Sequence, residues 1–184
     1  MRKRRTIIVL GVDPGTIVTG YGIVARQDSE MRLIECGAIK NASNESIPLR
    51  LRRIYSDLQS VIKRFHPDEF AIESAFYGKN AQSALKLGHA RGVSILAAVE
   101  KEIPTTEYSP REVKKAVVGS GKASKEQVQF MVRSLLGLAD RKMLYDTSDA
   151  LAIALCHLHR ITVPTSKHRD WKSYVAAHPE RVRS

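Results

Sequence analysis

Two apolar stretches of this chain each run out into an acid. Asp13 closes Thr6–Asp13, and Pro14 behind it disfavours helical backbone while Gly15 permits a sharp turn. Glu73 closes Phe70-Ala71-Ile72, and Asp146 and Asp149, three apart, open a third apolar stretch. Spaced that way in a helix, the last two lie on one side of its first turn, where the helix dipole favours negative charge. Singly, each acid has an ordinary explanation: Asp-Pro-Gly is a turn, Glu73 a strand end, and Asp146 with Asp149 an N-cap and its N3 acid. Four acids at the ends of elements that must be buried repel one another unless something positive sits among them. Oxygen-only ligands suit Mg²⁺ or Mn²⁺. Zinc would recruit His or Cys, and none of the six histidines falls at these positions. Two hard cations a few ångströms apart would activate a water and stabilise the leaving 3′ oxygen of a phosphodiester.

The elements that must position these acids follow from periodicity. Thr6–Asp13, Tyr21–Arg26 after a glycine-containing turn, and Met31–Lys40 read as three strands of an antiparallel meander. Ser46–Phe65 repeats apolar residues at three and four and is an amphipathic helix ending near Pro67. Glu69–Glu73 is a short buried strand, followed by a long helix from about Lys79 to Lys101 and a strand Thr105–Tyr108. Ser109-Pro110-Arg111-Glu112 is a capping box opening a helix to about Val118, and Ser124 with Gln127 repeats the device. Asp146 to about Leu158 is apolar nearly all round and must be buried. The order βββαβαβαα, with its antiparallel start and later crossovers, predicts an α/β fold with a mixed sheet flanked by helices.

The chain has 184 residues and 43% hydrophobic content, enough for one compact domain over 1–162. Residues 163–184 carry Lys167, Arg169, Lys172, Arg181 and Arg183 against Asp170 and Glu180, and read as a basic, flexible tail. The formal charge of +11 favours polyanions, nucleic acid first. The apolar stretch after Arg2-Lys3-Arg4-Arg5 runs into Asp13-Pro14, which marks a first strand and not a signal peptide. No apolar run reaches the roughly 18 residues of a membrane span, so a cytoplasmic protein without membrane contact is expected. Cys36 and Cys156, far apart in apolar surroundings, read as buried thiols. Gly119-Ser120-Gly121-Lys122 is no phosphate loop, since that pattern needs glycine at Ala116 and Ser or Thr at Ala123.

The segments GVDPGT (Gly11–Thr16), AIESAFYGKNAQSALKLGHARG (Ala71–Gly92) and DTSDALAIALCH (Asp146–His157) resemble the signature segments of RuvC Holliday junction resolvases, in the same order and spacing. The resemblance runs from about Thr6 to Leu158 and implies an RNase H-like fold with a five-stranded sheet. It implies that Asp13, Glu73, Asp146 and Asp149 are catalytic and bind metal, two Mg²⁺ per subunit with Mn²⁺ able to substitute. Some members carry His at the third position, where this chain has Asp146. The activity implied is paired symmetric nicking of four-way junction DNA in recombination and repair, leaving 5′-phosphate and 3′-hydroxyl ends.

Phe76, Tyr77 and Lys79 follow Glu73 closely. An aromatic there either stacks on an unpaired base or packs the helix start, and the resemblance associates Phe76 with junction opening. The resemblance also places Lys114 and Lys125 in contact with DNA, and Arg111, Lys115 and Lys122 add charge to the same segment. Ala81, Ala84, Gly88 and Gly92, with Leu85 beside them, form a stripe of small residues along the long helix. The stripe seats either a two-fold helix pair or the domain's own sheet. The resemblance implies a homodimer at this helix and partnership with the RuvA and RuvB branch-migration proteins. The alternatives are a junction-binding architectural protein, which has no use for the four acids, and another RNase H-like nuclease of the YqgF type.

Overall fold

A computed structural model describes residues 6–74, 81–138 and 143–162. Phe76, Tyr77 and Lys79, and the proposed tail 163–184, lie outside the described residues. The elements are β1 (Thr6–Asp13), β2 (Val18–Gln27), β3 (Glu30–Lys40), α1 (Ile47–Phe65), β4 (Glu69–Glu73), α2 (Ala81–Val99), β5 (Thr105–Tyr108), α3 (Pro110–Val118), α4 (Lys125–Leu135) and α5 (Tyr145–Thr162). Three helices therefore close the order, one more than the expected string carries. Each of the two predicted capping boxes opens its own helix: Ser109 with Glu112 on α3, and Ser124 with Gln127 on α4.

The five strands form one sheet in the order β3-β2-β1-β4-β5. β1 pairs antiparallel with β2 and parallel with β4, so the meander and the crossover meet on β1. Strand alternation sends Leu10, Val12, Ile23, Phe70 and Ile72 to one face, where they pack with Ile54 and Leu58 of α1 and Ala90 and Ala97 of α2. Val9, Val24 and Ala71 face the other way, onto α5 with α3 and α4 outside it.

The α5 face contains the fold's tightest contact. Gly11 and Gly22 are register partners on β1 and β2, as are Asp13 and Gly20. A Cβ built on Gly11 would lie 2.2 Å from the Ala150 carbonyl oxygen, and one on Gly20 would lie 2.0 Å from that of Asp146. On Gly22 it would meet the Leu151 side chain at 2.6 Å. Asp146, Ala150 and Ala154 recur every four residues, so this ridge of α5 lies with its backbone directly on the glycines. β2 consequently begins at Val18, earlier than expected: Gly20, which reads as turn punctuation in sequence, is a strand residue. Residues 150–158 of α5 are all buried. Near its far end, buried Arg26 of β2 donates to the Leu158 carbonyl oxygen at 2.6 Å, which suits a cation close to a helix C-terminus.

The sequence expectation for the cysteines is corrected in part. Neither forms a disulfide among the described residues and Cys156 is buried, but Cys36 is only half-buried, because β3 is an edge strand.

The contact at Gly11 sets a measurable expectation. Gly11→Val should destabilise the chain by about 3 kcal/mol, since overpacking against helix backbone has nowhere to relax. Urea denaturation followed by circular dichroism reads this, and a loss well below 1 kcal/mol would mean that α5 is not seated as described.

Candidate active site

Side-chain direction along the strands decides where the acids go. Asp13 lies two residues beyond Gly11 and Glu73 two beyond Ala71, so both project to the α5 face at neighbouring strand ends. The turn after Asp13 is fastened twice. Thr19 donates its hydroxyl to the Gly15 carbonyl oxygen at 2.7 Å, while Asn41 donates from its backbone N–H to Ile17 O at 2.8 Å and from Nδ2 to Thr16 O at 3.0 Å. Beside Glu73, the Ser74 N–H donates to Tyr108 O at 2.8 Å, which ties β4 to β5.

A cavity of about 220 Å³ opens there, lined by Asp13, Glu73, Pro110, Val113, Lys114, Lys125, Val128, Asp149 and Ile153. Three of the four predicted acids share it. Asp149 and Ile153 turn the same side of α5 toward it. Asp146 sits in the first turn of α5 with its backbone against Gly20, and is not a lining residue. Its charge still acts on Asp13 and Asp149. The helix starts at Tyr145, so Asp146 is inside its first turn and not the N-cap. Of the predicted lysines, Lys114 and Lys125 line the cavity. Arg111, Lys115 and Lys122 are exposed and do not, and the Arg111 side chain packs against Gly121 of the intervening loop. The apolar walls Val113, Val128 and Ile153 carry no signal of their own in sequence, since each reads as ordinary core.

The electrostatics are those of crowded anions. Burial first, and then the neighbouring carboxylates Glu73 and Asp149, push Asp13 up to about 8. Burial also raises Glu73, partly offset by its hydrogen bond with Asp13, and raises Asp149, partly offset by Lys125. Lys125 Nζ lies 3.3 Å from Asp149 Oδ2 and is itself raised by that carboxylate. Among the described residues, no three acids, histidines or cysteines converge tightly enough to hold an ion as they stand. The donor set nevertheless fits a hard divalent cation: it is all oxygen, and its tightened hold on protons is the response of anions seeking positive charge.

The stripe on α2 faces outward. A Cβ on Gly88 or Gly92 would meet nothing within 4 Å among the described residues, and Leu85 is 61% exposed, with Leu96 and Val99 exposed further along. The buried face of α2 is instead Ala90, Ser94, Ala97 and Ala98. Close packing of the glycine stripe on the domain's own sheet is therefore excluded.

The proton linkage has a definite sign. Asp13 holds its proton more tightly in the folded chain than at its ordinary value of 3.8, so the folded state carries the extra proton between about pH 4 and 8. Stability without metal should fall as pH rises through that window. In EDTA, Asp13→Asn should melt above the parent chain at pH 8, with the gap closing toward pH 4. Equal melting temperatures at pH 8 would refute the burial of this charge.

Comparison with known proteins supplies the family. The family model described as crossover junction endodeoxyribonuclease RuvC matches residues 9–157. The protein of that name from Chloroherpeton thalassium is 46% identical, over 96% of this chain and 99% of its own length. The one from Salinibacter ruber is 45% identical over the same shares. A solved structure of T. thermophilus RuvC in complex with Holliday junction substrate superposes with a TM-score of 0.81 at 36% identity, covering 86% of this chain and 97% of that one. The expected RNase H-like architecture is thus the observed one. With the acids, the cavity and the lysines arranged as described, the chain belongs to the RuvC family of crossover junction endodeoxyribonucleases.

Proposed function

We propose that this protein resolves four-way DNA junctions by nicking two opposing strands, with Asp13, Glu73, Asp146 and Asp149 holding two Mg²⁺ ions, for which Mn²⁺ substitutes. The observation that carries this reading is the convergence of Asp13, Glu73 and Asp149 in one cavity with Lys114 and Lys125. Divalent metal dependence is what family membership implies. Once bound, the ions supply charge to activate a water and to stabilise the departing 3′ oxygen, so that the ends are 5′-phosphate and 3′-hydroxyl.

The chain's own residues perform the rest. Lys114 from the middle of α3 and Lys125 from the start of α4 line the cavity with the acids and are placed to bind the scissile phosphate. A cation held by Asp149 would compete with Lys125 for Oδ2, which the lysine now contacts at 3.3 Å, and Nζ would then be available to the substrate. Val113, Val128 and Ile153 wall the cavity with apolar surface, which excludes water and strengthens these interactions. Arg111, Lys115 and Lys122, outside the cavity, add phosphate contacts along the duplex. Phe76 is assigned to the junction centre from the family resemblance, and Tyr77 and Lys79 to DNA contact from sequence.

Two symmetric cuts call for two active sites, and the outward stripe Ala81, Ala84, Leu85, Gly88 and Gly92 is the surface suited to a homodimer. RuvA and RuvB are the partners that this reading expects. The cytoplasm is the compartment, consistent with two cysteines outside any disulfide among the described residues, and no helix among those residues is long and apolar enough to cross a membrane.

A labelled synthetic junction, a linear duplex and an RNA·DNA hybrid, each with Mg²⁺ or EDTA, test the assignment. Paired nicks are expected in the junction alone, abolished by EDTA. Asp146→Asn should lower cleavage at least ~100-fold while junction binding persists, as for loss of one essential charged group. Metal-independent binding without cutting would make the protein architectural, and preferential cutting of the hybrid would move it to another nuclease class. Separately, Leu85→Asp should shift sedimentation from dimer to monomer at micromolar concentration, and an unchanged dimer would remove α2 from the interface.

A further inference from the structure

Phe130 of α4 is 69% exposed, more than any other large apolar side chain among the described residues. The buried side of α4 is Val128 and Val132, so the ring stands on the helix's outer side and contributes nothing to the core. It does not stand alone. With Met131 and with Val118 at the end of α3 it lines an open groove of about 410 Å³, whose remaining lining is Gln127 and Glu126. Apolar surface gathered around a projecting ring, with one acid on the rim, has the character of a docking site.

The occupant is indicated by where the chain goes next. α5 ends at Thr162, and three residues earlier His159 Nδ1 lies 3.2 Å from the carbonyl oxygen of Ala116, two residues before Val118. The chain thus leaves α5 beside the α3 wall of the groove, with residues 163–184 still to come. Those residues contain Trp171, Tyr174 and Val175, spaced at three and four as on one side of a helix. Trp171 lies nine positions beyond Thr162, a reach of up to ~30 Å when extended. The segment is basic, whereas the charged residue lining the groove is Glu126. It also lies beyond the family match, which ends at residue 157.

We propose that the C-terminal segment 163–184 folds back onto its own domain and seats Trp171 in the groove formed by Val118, Phe130 and Met131. Glu126 faces the segment's basic residues. The docked segment braces the outer side of α4, the helix whose first residue, Lys125, reaches Asp149. The proposal stands independently of the nuclease assignment.

Trp171 is the sole tryptophan of the chain, so its fluorescence reports this contact without labels. Emission and acrylamide quenching are compared for the full chain, for full-length Phe130→Ser and Glu126→Lys, and for a synthetic peptide of residues 163–184. The expected result is blue-shifted emission and several-fold weaker quenching in the full chain than in the peptide. Phe130→Ser should move both values to those of the peptide, and Glu126→Lys should move them part of the way. Phe130 lies outside the core, so a retained cooperative melting transition will show that the domain stays folded while the shift occurs. Peptide-like emission from the parent chain overturns the proposal. So does blue-shifted emission indifferent to Phe130→Ser, which assigns Trp171 to another site, and so does a shift that grows with protein concentration, which assigns the groove to a second copy. Junction cleavage plays no part in the readout, so loss of the nuclease reading would leave this result intact.

Discussion

The structure depends on how closely α5 lies on the sheet. Where Gly11 and Gly20 meet the Ala150 and Asp146 carbonyls there is no room for a side chain, and the helix comes to rest backbone to backbone. Because the ridge Asp146, Ala150 and Ala154 is pinned in rotation, the next row of the helix, Asp149 and Ile153, must turn toward the ends of β1 and β4. The position of two acids is thus set by residues with no chemistry of their own. The same contact buries the middle of α5 and fills the α5 face of the core.

This arrangement stores electrostatic strain where the proposed cations would bind. Asp13 and Glu73 hydrogen-bond to each other, and Asp149 leans on Lys125, yet burial still leaves all three with a raised hold on protons. The fold supplies the compensation elsewhere: two large apolar clusters, one on each side of the sheet, with Arg26 and the capping boxes satisfying helix ends. Lys114 and Lys125 come from separately capped helices, so each lysine is held from its own anchor.

Much of this was legible in sequence because the relevant signals are local. Short apolar runs gave β1 and β4 with Asp13 and Glu73 at their ends, and Ser109 and Ser124 gave two helix starts by capping chemistry alone. What was not legible depends on contacts between distant segments. Gly20 looks like a turn until α5 is laid across it, and nothing near Val113, Val128 or Ile153 says that they wall a cavity. The α2 stripe was ambiguous for the same reason. A small-residue stripe looks alike whether it meets the domain's own sheet or open space, and only the neighbours of Gly88 and Gly92 distinguish the two. Asp146 and Asp149 read as a pair, but the pinned rotation of α5 gives them unequal places.

That the last described helix carries two of the four proposed acids bears on when the protein could become dangerous to DNA. Synthesis proceeds from the N-terminus at about 5–20 residues per second. The sheet, α1 and α2 can all emerge while Asp146 and Asp149 are still unmade or inside the ribosome, since α5 begins only at Tyr145. On the proposed assignment, a nascent chain therefore passes through most of its length carrying two of the four acids and no cutting centre. Arming waits for the docking of one helix onto three glycines, so a truncated or stalled product is a sheet without a blade.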